Sequence, residues 1–315
     1  MRKSAYSVLL CLVAFALVVG SLALLVPDAS GSDAYTNGVA GYIMDAAAYA
    51  QVGKWDKMIA ECNEAIYLNP NAIDAYRGRG AAYFEKGDWI NVISNYSEVI
   101  RLEPNDPDSS NAYLFIGNAY TKLRQYDQAI SEYDEAIKLD PKNSDAYFSR
   151  GYAYGYKRDF DKVTSDYTEV IRLDPTNAQA FYYRGYAYCI KRNYEAAASD
   201  YIRASQLDPN FKTYRDSLNS LAWLLATSPD SSIRNGKKSL RIAKRICELA
   251  AWGDWRYLDT LAAAYAETGD FDNAIKYQTK ALNIQGSTEI REQFGLTQRL
   301  ELYEQKKPYH QPPNQ

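Results

Sequence analysis

The chain has 315 residues, a formal net charge of −3 from 36 basic and 39 acidic side chains, and a single histidine. This balance gives no overall field that would attract nucleic acid. Tyrosine is enriched, at 29 residues, which points to unusual aromatic content in the folded part.

The N-terminus differs from the rest of the chain. Arg2 and Lys3 precede an uncharged apolar run over residues 8–26, which Pro27 closes. The run predicts an N-terminal hydrophobic helix within residues 1–27, either a signal anchor long enough to cross a bilayer or a signal peptide cleaved after the small residues at 29–31. In both cases the charge before the run predicts repeats outside the cytoplasm, periplasmic or extracellular. Residues 28–38 are predicted to form a polar linker.

A 34-residue period follows. It is marked by two series of residues, Gly117, Gly151 and Gly185, and Pro141, Pro175 and Pro209. In each unit an aromatic residue, a glycine and a tyrosine at i, i+4 and i+7 share one face of a predicted first helix, and a second apolar stripe follows a short turn. Each unit is therefore predicted to be a helical hairpin, which proline ends. Because glycine within a helix costs about 1 kcal/mol relative to alanine, we expect it to allow close approach to a small residue, with Gly117 facing Ala129.

This succession of aromatic, Gly, Tyr, Ala, aromatic and Pro resembles the tetratricopeptide repeat family. The resemblance covers about residues 39–288, with five regular units over 39–211 and two divergent units over 212–288 that resemble a pair at the end of a subgroup of bacterial members. It implies an all-α fold, a right-handed α-solenoid of about seven antiparallel helix pairs. A capping helix is predicted at 289–305 and a disordered tail at 306–315.

Catalytic and metal motifs are missing from the sequence. No P-loop, nucleophile elbow, His-Glu-x-x-His motif or dinucleotide fingerprint occurs, so we predict neither an enzyme nor a cofactor. The acidic loop at 105–109 lacks the glycine and the glutamate of a calcium loop, and no metal is predicted. The sole histidine, His310, lies in the predicted tail, and three cysteines, Cys62, Cys189 and Cys247, fall in different units as packed thiols.

In the family that the chain resembles, the first helix of each unit lines a concave groove. The residues beside the packing stripe are therefore candidates for binding a protein or peptide segment. They are Arg77, Asn118, Phe148, Tyr152, Tyr156, Tyr182 and Tyr186. Arg77 and Asn118 are expected to contact a polar ligand, although the carboxylate clamp of some members is absent. The five aromatic residues suit a recognition surface, or alternatively pack between neighbouring first helices.

A second candidate surface is a basic amphipathic helix in the first divergent unit. Its basic residues are Lys237, Lys238, Arg241, Lys244 and Arg245. Such a helix could meet an acidic partner or anionic lipid headgroups, or it could simply be a solvated face.

These observations predict a non-enzymatic, extracytoplasmic scaffold or assembly factor that binds a protein partner in a tyrosine-rich groove, with membrane attachment through an uncleaved N-terminal helix. A more specific alternative of the same class is an accessory factor in envelope biogenesis or secretion. An alternative of another class is a carbohydrate-binding auxiliary or an enzyme subunit, in which tyrosines would stack on sugar rings.

Overall fold

The computed structural model describes residues 33–285 and 287–312. Within these residues the fold is all-α and forms two compact units, the first ending at Leu173 and the second beginning at Asp174. The helices of the first unit are α1 (Asp33–Gln51), α2 (Trp55–Leu68), α3 (Ile73–Lys86), α4 (Trp89–Leu102), α5 (Ser109–Lys122), α6 (Tyr126–Leu139), α7 (Ser144–Tyr156) and α8 (Phe160–Leu173). Those of the second unit are α9 (Ala178–Ile190), α10 (Tyr194–Leu207), α11 (Lys212–Thr227), α12 (Gly236–Leu249), α13 (Trp255–Glu267), α14 (Phe271–Ile284), α15 (Thr288–Gln293) and α16 (Leu296–Glu304).

The N-terminal boundary differs from the sequence expectation. The predicted signal anchor or signal peptide lies outside the described residues, and so does the start of the predicted linker. Helix α1 already begins at Asp33, so the last part of the segment predicted as a linker, 28–38, is helical. Among the helices within 33–285 and 287–312, none has both the length and the apolar composition needed to cross a membrane.

The prolines and the asparagines that follow them set the helix boundaries. After Pro141, the side chain of Asn143 accepts a hydrogen bond from the backbone N–H of Ala146 at 3.0 Å, and Asn177 caps α9 in the same way. Proline cannot continue a helix, and an asparagine side chain satisfies an N–H group that the first helical turn leaves open. The repeated Pro-x-Asn sequence therefore ends one hairpin and starts the next.

In the second to fifth hairpins, a glycine of the first helix lies against a tyrosine ring of the second helix, sixteen residues later. A Cβ atom added to Gly117 would come within 2.5 Å of the Tyr133 ring, and one added to Gly80 within 2.9 Å of Tyr96. Gly151 with Tyr167 and Gly185 with Tyr201 repeat the contact at 3.3 and 3.0 Å. The expected approach of Gly117 to the small side chain of Ala129 is therefore wrong in its partner, because the bulky ring fills the space that the missing Cβ leaves.

The same pair of positions changes together where the hairpins diverge. In the first hairpin the glycine position is Ala46 and the tyrosine position is Cys62, both fully buried. In the α13–α14 hairpin the two positions are Ala262 and Gln278, again fully buried. A smaller or narrower residue on the second helix thus accompanies a Cβ on the first helix, as close packing requires.

A buried polar cluster closes the second unit. Arg299 of α16 donates two hydrogen bonds of 2.8 Å to Asp259 of α13, and Gln278 donates to Asp259 at 2.9 Å. Gln278 also donates to the backbone carbonyl of Leu296 at 3.0 Å, which fixes the start of α16. The predicted single capping helix at 289–305 is two helices, since Gly295 adopts a left-handed φ of 65° between them.

The C-terminal segment predicted as a disordered tail, 306–315, makes specific contacts as far as the structure describes it, to residue 312. The ring of Tyr309 lies 5.9 Å from Trp223, and the backbone N–H of Gln311 donates to the carbonyl of Thr227 at 2.7 Å. His310, which sequence reasoning left outside the folded part, lies 2.7 Å from a carboxylate oxygen of Glu267. Polar composition and prolines indicated disorder, and they carried no signal for these long-range partners.

We expect Gly117→Ala to lower the stability of the protein and Gly151→Ala to leave it nearly unchanged. A Cβ at 117 collides with the Tyr133 ring, an overpacking that typically costs about 1–3 kcal/mol. At 151 the nearest atoms are 3.2 Å away, and the gain of about 1 kcal/mol in helix propensity offsets the tighter contact. Thermal unfolding followed by circular dichroism measures both. Equal melting temperatures for the two variants would contradict the assigned contact.

Candidate functional site

Three tyrosines of the first unit form a surface that we call the tyrosine ledge, defined as Tyr126, Tyr152 and Tyr156. Tyr126 begins α6 and Tyr156 ends α7, and their rings stack with centroids 4.8 Å apart and planes 10° apart. Tyr152 meets Tyr156 edge to face at 5.1 Å, and the two hydroxyls are 3.0 Å apart. Tyr152 is 37% and Tyr156 56% exposed, so the ledge presents aromatic area that is already held in place.

The tyrosines at the ledge are not required by the repeat itself. The position of Tyr152 is occupied by Ala81 in the second hairpin and by Asn118 in the third, and these hairpins adopt the same helical pairing. In the second unit the corresponding residue is Tyr186, which is 48% exposed. Because alanine and asparagine occupy this position in hairpins with the same helical pairing, that pairing does not require the exposed area of the two tyrosines.

Two of the predicted groove residues, Phe148 and Tyr182, lie in intramolecular contacts. Phe148 is half-buried with its ring edge to face against Tyr167 at 5.3 Å. Tyr182 is half-buried too, and its ring centroid lies 5.2 Å from that of Tyr214. The Tyr182 contact joins two first helices, α9 and α11, as in the packing alternative, whereas the Phe148 contact lies within one hairpin, between α7 and α8.

Arg77 and Asn118, which we expected to contact a polar ligand, have partners within the first unit. The guanidinium of Arg77 lies 3.1 Å from Glu103 and 3.6 Å from Asp74. The side-chain oxygen of Asn118 accepts a hydrogen bond of 2.9 Å from the hydroxyl of Tyr133. A ligand would compete with these contacts for both side chains.

A ladder of arginines that sequence reasoning missed orients the first helices. Arg150 of α7 donates two hydrogen bonds to Asp166, at 2.6 and 3.0 Å, and one of 2.6 Å to Asp134 of the preceding hairpin. Arg184 pairs with Asp200 through two bonds of 2.8 Å. The 34-residue spacing of the arginines and the sixteen-residue spacing to the carboxylates were the available signals. Because Tyr152 is two residues from Arg150, this ladder fixes the helix that presents the ledge.

In the third hairpin the arginine of this ladder is missing. Ile116 stands where Arg150 and Arg184 stand in the next two, while the acidic position is kept as Glu132. Burial raises the pKa of Glu132, and the nearby charge of Glu135 adds to the effect. The carboxylate is thus half-buried without the compensation that its equivalents have.

The predicted basic patch is only partly free to meet an anion. Arg241 forms an ion pair with Glu195, whose pKa this contact lowers, and Lys238 lies 3.6 Å from the same carboxylate. Arg245 pairs with Glu248 at 2.9 Å. The other two basic residues, Lys237 and Lys244, are exposed, and the ammonium of Lys244 lies 5.2 Å from the centre of the Tyr265 ring.

Burial raises the pKa of the Cys62 and Cys247 thiols to about 12, so both stay protonated at neutral pH. Within 33–285 and 287–312, no group of three or more His, Cys, Asp or Glu side chains is arranged to hold a metal ion.

Family models match several stretches of the chain. A model described as a tetratricopeptide repeat matches residues 144–177 and 256–288, another of the same description matches 166–198, and one described as a TPR repeat matches 117–156. The match at 256–288 falls on α13 and α14, the second of the divergent hairpins. No curated protein sequence matches the chain significantly.

Solved structures share the helical-hairpin architecture. A tetratricopeptide repeat protein from Parabacteroides merdae superimposes with a TM-score of 0.53 at 11% identity, covering 85% of this chain and 99% of its own. The MamA protein gives a TM-score of 0.51 at 21% identity, covering 57% and 96%. YrrB, described as a TPR protein with an unusual peptide-binding site, gives 0.49 at 24% identity, covering 58% and 97%. At these identities, the two structures with a TM-score above 0.5 show a likeness of fold alone.

Glu132→Gln is expected to raise the melting temperature at pH 7 and to leave it unchanged near pH 3.5. The folded state holds the Glu132 proton more tightly than the unfolded chain, whose glutamates titrate near pH 4.3. Stability is therefore lost as pH rises from that value through the raised pKa of the folded state. Thermal melts across pH 3.5–7 measure the difference. The exposed Glu64→Gln serves as the control, and an equal shift in both variants would contradict the prediction.

Proposed function

Since the chain belongs to the tetratricopeptide repeat family, we propose that it is a non-enzymatic scaffold that binds an extended segment of a partner protein on the tyrosine ledge. The observation that supports this most directly is the pair of exposed tyrosines, Tyr152 and Tyr186, at a repeat position where other hairpins carry alanine or asparagine. Tyr186 is the tyrosine of the second unit at this repeat position.

The ledge has the physical properties of a recognition surface. Tyrosine brings a large contact area with few rotatable bonds and one polar tip, so it loses little conformational freedom on binding. The stack of Tyr156 on Tyr126 and the hydroxyl contact between Tyr152 and Tyr156 hold the rings before a partner arrives. Such preorganisation removes part of the entropic cost of association.

We further propose that the repeats act outside the cytoplasm, held near a membrane when the N-terminal segment is retained. Support comes from the sequence of residues 1–27, with Arg2 and Lys3 before a long apolar run. A scaffold in this position would serve as an assembly factor for envelope or secreted proteins.

Photo-cross-linking tests the ledge. A photoreactive phenylalanine analogue placed at 152 or at 156 in the full chain is expected to capture the same partner. The matched control is position 67, because Tyr67 is 81% exposed on α2 and belongs to no aromatic cluster that we describe. Equal capture of that partner from position 67 would contradict the assignment.

The double variant Tyr152→Ala with Tyr156→Ala is expected to weaken affinity for the captured partner by about tenfold or more, since truncating a hot-spot aromatic typically costs about 2 kcal/mol. Isothermal titration with the identified partner measures the loss, and Tyr67→Ala should have no effect. An unchanged affinity of the double variant would reject the ledge. Saturable binding to glycans that needs the same tyrosines would favour the carbohydrate-binding alternative.

Reporter fusions test the location. Alkaline phosphatase joined after residue 38 of the chain is expected to be active in a bacterial host, because the enzyme needs an oxidising compartment for its disulfides. Deleting residues 2–27 should abolish that activity. An active cytoplasmic reporter such as a fluorescent protein at the same junction, with inactive phosphatase, would refute the proposed export.

A further inference from the structure

The C-terminal residues 308–312 lie on the second unit in the manner of a bound peptide. The guanidinium of Arg299 contacts two neighbouring rings, 5.1 Å from the centre of Trp223 and 5.3 Å from that of Tyr309, and the two ring centres are 5.9 Å apart. Arg299 is itself fixed by its two hydrogen bonds to the buried carboxylate of Asp259. Tyr309 therefore contacts a cation whose orientation is fixed by hydrogen bonds.

The next residue of this segment meets a prepared carboxylate. One oxygen of Glu267 lies 2.7 Å from Nε2 of His310, and the other accepts a hydrogen bond of 3.2 Å from Arg234. Arg234 also donates to the carbonyls of Ser228 and Pro229, so it holds the long connection between α11 and α12. Gly236 leaves room for the Glu267 side chain, because a Cβ there would come within 3.0 Å of it.

A main-chain contact completes the site. The backbone N–H of Gln311 donates to the carbonyl of Thr227, the last residue of α11, at 2.7 Å. Carbonyls at a helix C-terminus have no partner within the helix, and an extended segment can supply one. The site therefore contacts an aromatic ring, a hydrogen-bonding side chain and the backbone of the segment. Pro308 and Pro312 flank these three residues and restrict the conformations of the segment.

We propose that α11, α13 and α16 form a docking site for an extended partner peptide with a proline–aromatic–histidine sequence, and that residues 308–312 of the same chain occupy this site as an internal competitor. The contacts described come from three consecutive residues, Tyr309, His310 and Gln311, and the segment is tethered to α16. A tethered ligand on a short linker has an effective concentration of about 1 mM, so a free peptide binds only by displacing it. The site shares no residue with the tyrosine ledge, so this proposal does not depend on the proposed function.

Competition for the site is measured with a fluorescein-labelled peptide of residues 307–315. Fluorescence anisotropy compares the full chain with a variant that ends at Lys307. We expect the shortened chain to bind the peptide at least about tenfold more tightly than the full chain does. The same peptide with alanine in place of the tyrosine should lose this binding, because stacking on Arg299 is removed.

A substituted full chain allows the same test without the truncation. If far-UV circular dichroism shows that the shortened chain does not fold, the full chain carrying Tyr309→Ala and His310→Ala replaces it, with the same expected gain in peptide affinity. The ledge variant Tyr152→Ala with Tyr156→Ala should bind the peptide as the full chain does.

Two outcomes would overturn the proposal. A folded variant with a free site that binds the peptide no better than the full chain shows that the tail contact is packing alone. A full chain that elutes as a dimer, and as a monomer once residues 308–315 are removed, shows that the occupant is the tail of a second copy rather than of the same chain.

Discussion

The approach of a helix backbone to an aromatic ring sets the geometry of the regular hairpins. Where Gly117 lies against Tyr133, the missing Cβ lets a ring pack directly on the first helix, and this fixes the register between the two helices at sixteen residues. The residue before the glycine then meets the residue before the tyrosine. Arg150 with Asp166 and Arg184 with Asp200 are direct products of that register. A glycine in the interior of a helix destabilises the helix by about 1 kcal/mol relative to alanine. Burial of the tyrosine ring more than offsets this cost.

This register also places one variable position directly after the glycine. Tyr152 and Tyr186 both occupy that position and are partly exposed. The repeat therefore separates its packing residues from its recognition residues by one position. Substitution among alanine, asparagine and tyrosine at that position leaves the hairpin intact, so a binding surface can change without a change of fold.

Periodicity in the sequence predicted the helical pairs, their turns and their prolines, because each of these depends on residues close together in the chain. It did not predict the partner of Gly117. A glycine is expected at this position whether the helix packs against a small residue or against a flat aromatic ring. Nor did it predict the contacts of Tyr309 and His310, whose partners Trp223 and Glu267 lie far away in sequence. Local composition favoured disorder there. The ledge was found only in part: Tyr152 and Tyr156 were identified from their spacing, whereas Tyr126 lies on another helix and had no sequence signal.

At the end of the second unit, a buried polar cluster takes the place of the glycine–ring contact. This cluster determines the shape of the proposed docking site. Gln278 stands at the tyrosine position of its hairpin, and with Asp259 and Arg299 it forms a buried polar cluster. A buried ion pair contributes little net stability unless its hydrogen bonds are complete, but it holds its members in one orientation. Arg299 is therefore held in contact with both Trp223 and Tyr309, whose rings also contact each other. A cation so fixed selects an aromatic ring in whichever segment lies above it, and the internal segment has the advantage of its tether.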